Sequence, residues 1–173
     1  TATEKLRSFA IGTLAIGAVV ALVLLITPNS VRTRHASDPL AAAVRSCTTR
    51  ADRVFLWGSF PELLMQIDRP VAGGLVHTDF VTGRSGGRTS GTDAVTPGAD
   101  ARMLTDLRTN PPALLIDTSG VADLGYGAFP MQAHTGIADL TANYTPQRTG
   151  SGFVWWWRNG HAACPALSAA DTR

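Results

Sequence analysis

The chain has 173 residues, enough for one ordinary domain plus a tail. Its net charge is only +2, and its Lys and Arg residues are scattered, which excludes the basic stripe that nucleic-acid binding needs. With 17 Gly and 10 Pro it is rich in loops, but 45% hydrophobic residues excludes wholesale disorder.

Residues 1–8, which carry Lys5 and Arg7, are expected to be a cytoplasmic flank. Phe9 to Thr27 then runs without a charge, its only polar side chains being two threonines. That length matches a bilayer's hydrocarbon core, for which about 20 apolar residues suffice. The segment is expected to be a transmembrane helix. A cleaved signal peptide is one rival, but Pro28, Asn29 and Ser30 follow where small residues should mark the cleavage site. A buried soluble helix is the other. Arg32 and Arg34 balance the basic residues before the span, so the positive-inside rule gives no orientation. The chain begins with Thr, so it is expected to be processed, trimmed or a piece of something longer.

Residues 28–37 form a polar, basic linker. Ser37 or Asp38 is placed to cap a helix with Pro39 just inside its start, and Leu40, Ala43, Val44 and Cys47 share one face. Val54 to Trp57 is a short apolar run of β-branched and aromatic residues and predicts a buried strand. Gly58 and Ser59 turn the chain into a helix from Pro61 to Ile67, where Leu63, Leu64 and Ile67 face inward and Glu62 sits near the positive end of the dipole. Pro70 stops that helix, and Arg69 is placed to cap it. Val71 to His77 is a second extended candidate, weakened by Gly73 and Gly74.

Thr82 to Ala99 reads as a long mobile loop rich in Gly, Ser and Thr. A helix starting at Asp100 or Ala101 points Met103, Leu104 and Leu107 inward and ends at Asn110, Pro111 and Pro112. Ala113 to Ile116 is the second buried strand, leading to Asp117. Thr118 to Gly136 is irregular, and Ile137 to Asn143 is a short helix. Tyr144 to Arg148 and Phe153 to Arg158 form a terminal hairpin around Gly150 and Gly152. Gly160 onward reads as a tail. This order predicts a small three-layer α/β domain over 38–160, with a C-terminal β-hairpin and a tail at 161–173.

Cys47 and Cys164 lie near opposite ends of this domain. A disulfide between them would close a loop of nearly the whole domain and place it outside the cytoplasm. Two unrelated buried thiols are the other reading. No CxxC or Cys/His spacing points to a metal.

Candidate site residues follow from position. In open α/β sheets ligands bind at the carboxyl ends of the strands, which nominates Trp57, Ser59 and Glu62. His77 and Asp79 sit two apart in an extended stretch and share a face, as a ligand or acid–base pair or as a loop anchor. Arg84 and Arg88 would line a phosphate-contacting loop, or a solvated one. In the run Trp155, Trp156 and Trp157, one face packs on the core, and the other, carrying Trp156, could stack on a sugar ring or sit at a membrane interface. Gly83 to Gly87 matches G-x-S-x-G, with Ser85 as nucleophile and His134 or His161 as base, but the motif needs a strand before it and a helix after it.

The order of "DRVFLWGSFPELLMQIDRP", "LVHTDFVTG" and "MLTDLRTNPPALLID", preceded by the apolar span and closed by the aromatic hairpin, resembles the C-terminal extracytoplasmic domain of bacterial GT-C glycosyltransferases. The nearest families are the dolichyl-phosphate-mannose protein mannosyltransferase-like and aminoarabinose-transferase-like ones. The composition resembles that of actinobacterial proteins. The resemblance implies sugar transfer from a polyprenyl-phosphate donor to a glycan or protein acceptor of the cell envelope, at the inner membrane, without a cofactor in this segment. It implies catalytic carboxylates in loops between earlier membrane spans, so no catalytic residue carries over to this chain. The lipid bilayer and other membrane subunits are the remaining expected partners. The alternative function is a single-pass accessory subunit that binds and does not catalyse.

Overall fold

Strand formation begins where buried, chiefly apolar residues follow one another. Val54–Trp57 (β1) and Leu114–Asp117 (β4) are such runs, and all eight residues are buried. A computed structural model describes residues 39–85, 88–89 and 94–170 of the chain. The transmembrane expectation at Phe9–Thr27, the linker and the Ser37 or Asp38 cap lie outside the described residues. Among the described residues no helix is long and apolar enough to cross a membrane.

β1 and β4 pair in parallel, Val54 with Leu114 through Trp57 with Asp117. Tyr144–Arg148 (β5) and Val154–Arg158 (β6) form the hairpin, and β6 pairs antiparallel with β4. The result is a four-stranded mixed sheet in the order β1-β4-β6-β5. Between β1 and β4 lies a separate two-stranded ribbon, Arg84–Ser85 (β2) with Arg88–Thr89 (β3).

Side chains alternate across a strand, so the sheet has two apolar faces and needs cover on both. One face presents Val54, Leu56, Leu114, Ile116, Trp155 and Trp157. Three helices lie on it: residues 39–47 (α1), Pro61–Ile67 (α2) and Pro165–Ala170 (α6). The other face presents Phe55, Trp57, Leu115, Val154 and Trp156. It is covered by Ala99–Thr109 (α4), Ile137–Thr141 (α5) and Val81 of the short helix Asp79–Thr82 (α3). The three consecutive tryptophans are thus all core. Truncating a buried indole such as Trp155 to Ala costs about 3–5 kcal/mol.

Helix α2 starts at Pro61 and ends at Asp68, which takes a left-handed φ of 52°. Arg69 donates to the Asp68 carbonyl at 2.9 Å, the cap expected of it. Cys47, at the end of α1, and Cys164, just before α6, are joined by a disulfide with Cα atoms 5.7 Å apart.

Four expectations change. Val71 to His77 is not a strand: Val71 alone bridges to Val54, and positive φ at Gly73 and Gly74 bends the chain away. The extended stretch expected around Asp79 is the helix α3. The loop expected at Thr82 to Ala99 contains the β2–β3 ribbon. The tail contains α6, whose Leu167 is fully buried; with only one large apolar residue the segment carries no visible helical periodicity.

Candidate functional site

The loops leaving the carboxyl ends of β1 and β4 are clasped to each other. Gly58 N–H donates to Thr78 Oγ1 at 2.9 Å, and Thr78 N–H returns to the Gly58 carbonyl at 3.0 Å. Thr118 donates both its N–H and its hydroxyl to the Trp57 carbonyl, at 3.0 and 2.9 Å. Thr78 and Thr118 are fully buried, so these bonds satisfy groups that water cannot reach.

Beyond the clasp lies a crevice of about 250 Å³ lined by Trp57, Val81, Thr82, Phe129, Pro130 and His134. Trp57 forms its wall, 1% exposed, with its indole N–H donated to the Phe129 carbonyl at 2.7 Å. The His134 ring lies 4.9 Å from the Trp57 ring, and His134 Nε2 meets Asp100 Oδ1 at 2.7 Å. That bond fixes the imidazole plane at the crevice mouth.

A second cluster adjoins the first through Thr82. The Tyr126 hydroxyl donates to Asp79 Oδ1 and lies 3.5 Å from the hydroxyls of Thr78 and Thr82. Burial, and then the Asp79 carboxylate, push the Tyr126 hydroxyl above the ordinary phenol range. The Arg84 guanidinium stacks over the Tyr126 ring at 4.6 Å. His77 Nδ1 lies 3.7 Å from Asp79 Oδ2, beyond hydrogen-bond distance, and the His77 ring stacks on Phe80. Asp117 ends β4 on the Trp57 face. Burial pushes its carboxyl above the usual range, against the N–H groups of Ser119 and Met131.

The structure therefore gathers His77, Asp79 and Arg84 into one cluster, with Tyr126 as the hub, and sets Trp57 beside it. Ser59 is half-buried in the β1–α2 turn and Glu62 is exposed on α2; neither lines the crevice. Trp156 is 6% exposed, so it offers no open ring face to a sugar or a membrane. Ser85 sits in β2, after a helix and before another strand, the reverse of the context that G-x-S-x-G needs. His161 faces Asp52 at 3.9 Å and stacks on Trp157, on the opposite face of the sheet.

Sequence reasoning missed Thr78, Thr118, Tyr126, Phe129, His134 as a crevice residue, and Asp117. Most lie in stretches without periodicity. The one signal was Asp117, a carboxylate at the end of a buried strand. Among the described residues no group of three His, Cys, Asp or Glu is placed to hold a metal ion. Chemically, the crevice suits a small ligand with an apolar face, because His134 Nε2 is taken by Asp100 and the Thr82 hydroxyl donates to the Thr78 carbonyl. Compared with known proteins, the chain matches no protein family, no curated protein and no solved structure.

Proposed function

We propose that this chain is the membrane-anchored, extracytoplasmic part of a polyprenyl-phosphate-sugar-dependent glycosyltransferase of the cell envelope. In this reading residues 9–27 cross the inner membrane and the α/β domain helps recognise the acceptor in the crevice at the end of β1. The observation that carries it is the Cys47–Cys164 disulfide in a domain that follows an uncharged span of bilayer length. Disulfides persist in oxidising compartments, and the span gives the route to one. Catalysis belongs to preceding membrane spans of a longer polypeptide.

The test is the native polypeptide that carries this sequence, purified from membranes. The expected result is a mass several times 18.2 kDa and transfer of sugar from a polyprenyl-phosphate donor. A native mass near 18.2 kDa without transfer removes the transferase. It would leave the second reading, a single-pass accessory subunit. One observation favours that reading: the polar groups around the crevice are spent on each other, Trp57 on Phe129, Tyr126 on Asp79 and His134 on Asp100.

A further inference from the structure

Residues 70–72 run along the outer edge of β1: Val54 N–H donates to the Pro70 carbonyl and Ala72 N–H to the Val54 carbonyl, both at 2.9 Å. Outside them lies an open groove of about 630 Å³, with Leu64, Met65, Val71 and Val76 as its apolar lining. Met65 is 81% exposed and Val76 51%, and Phe80, stacked on His77 just beyond, is 44% exposed. Among the described residues these three are the exposed large hydrophobics, and all fall within sixteen consecutive residues. Exposed apolar residues scattered singly mean little; Met65 and Val76 share one groove, with Phe80 adjoining Val76 through His77, and such a grouping marks a contact surface.

The rim of the groove is basic. Arg50 and Arg69 line it, against one carboxylate, Asp68. Arg69 donates to the carbonyls of Arg45, Thr48 and Asp68 and to the Thr48 hydroxyl, all neutral acceptors, so none of these bonds neutralises its charge. The Arg45 guanidinium joins them at the end of α2, on the Gln66 carbonyl. Three guanidinium groups beside exposed Met, Val and Phe side chains form the amphipathic pattern of an interfacial surface.

The tether gives that surface its partner. The apolar stretch ends at Thr27, and the segment 28–38 reaches at most about 40 Å when fully extended. A domain anchored through residues 9–27 is therefore held within reach of the bilayer surface.

We propose that this face docks on an anionic phospholipid surface, with Met65, Val76 and Phe80 in the headgroup boundary and Arg45, Arg50 and Arg69 against the phosphates. The inference rests on the reading of residues 9–27 as a membrane span. It orients the domain, turning the β1 edge of the sheet toward lipid and the β5 edge away.

The test uses the full chain in phosphatidylcholine vesicles with and without phosphatidylglycerol. A benzophenone amino acid replaces Val76, Phe80 or, as a control, Ala138. Ala138 is exposed on α5, which packs beside β5 at the far edge of the sheet. After illumination, lipid adducts are expected at positions 76 and 80 and not at 138. Arg50→Gln should lower the yield roughly fivefold in the anionic vesicles, the equivalent of about 1 kcal/mol per arginine, and leave it unchanged in neutral ones. Equal yields at 76 and 138 overturn the proposal, as does a cross-link between two copies in place of a lipid adduct. Carbonate extraction separates the two failures. A chain that stays in the vesicles without selective adducts refutes the docking face alone. A chain that washes out refutes the membrane span, and the docking face with it.

Discussion

Removing the disulfide is the perturbation whose size follows most directly from the structure. Cys47 and Cys164 are 117 residues apart in sequence and hold α1 and the start of α6 together on one face of the sheet. In the chain-entropy account, opening a loop of that length frees the unfolded chain by about 4.9 kcal/mol at 25 °C. A domain is stable by only about 5–15 kcal/mol, so Cys47→Ala/Cys164→Ala is expected to bring this one close to its threshold. Cys164 is fully buried, so the lost sulfur adds a packing cost. The assay is urea unfolding of the full chain followed by tryptophan emission. All four tryptophans lie in β1 and β6, so the signal reports on the sheet itself. With a slope of about 1–3 kcal/mol per M, the midpoint should fall by about 2–5 M. A loss below about 1 kcal/mol with an unchanged slope would refute the reasoning, because it would mean that closing the loop does not constrain the unfolded chain.

Other outcomes follow from single contacts. Gly58 has φ 123°, and a Cβ there would lie 1.8 Å from Thr118 Oγ1. Gly58→Ala should cost about 2–4 kcal/mol in denaturant unfolding, from backbone strain and the broken Thr118 hydrogen bond. Adding Thr118→Ala should cost less than its own single effect, and strict additivity would show that the two do not clash. Desolvation opposes ionisation of Asp106, but Asn110, the Gly73 N–H and Arg53 outweigh it and hold the carboxyl below 3.8. Its contribution is therefore complete above that value and fades as pH falls through the lowered one. Asp106→Asn should be less stable than the parent at neutral pH, with the two thermal midpoints converging in acid; a gap independent of pH would contradict this. Burial pushes the Tyr144 hydroxyl up to about 12, and it raises Tyr126 as well. Phenolate absorbance at 295 nm should therefore rise in the folded protein only above the ordinary tyrosine range near 10, with the Tyr144 component appearing near pH 12. A normal titration of either tyrosine would show that its hydroxyl is open to water.

What could be read from the sequence was local. The runs at Val54–Trp57 and Ala113–Ile116 announce buried strands, because few other elements tolerate several consecutive apolar residues beside a turn signal. Pro61 and Pro70 bracket α2 through their missing N–H groups, and the hairpin follows from two short runs around Gly150 and Gly152. Residue spacing also set Trp155 and Trp157 on one face and Trp156 on the other. Whether that second face stayed open depended on α4 and α5, which cover it. Likewise, Trp57 lies at the strand end where a ligand site is expected, but its ring is enclosed and its N–H is taken by a carbonyl from a distant loop. His77, Asp79 and Arg84 were visible as polar residues, while their hub, Tyr126, sits in a glycine-rich stretch with no period to mark it. Side-chain alternation and turn chemistry act over a few residues and so declare themselves in sequence. Strand order, the seating of β4 between β1 and β6, and the partners of Tyr126 and Trp57 join segments some 40 to 70 residues apart, and only the folded chain brings those together.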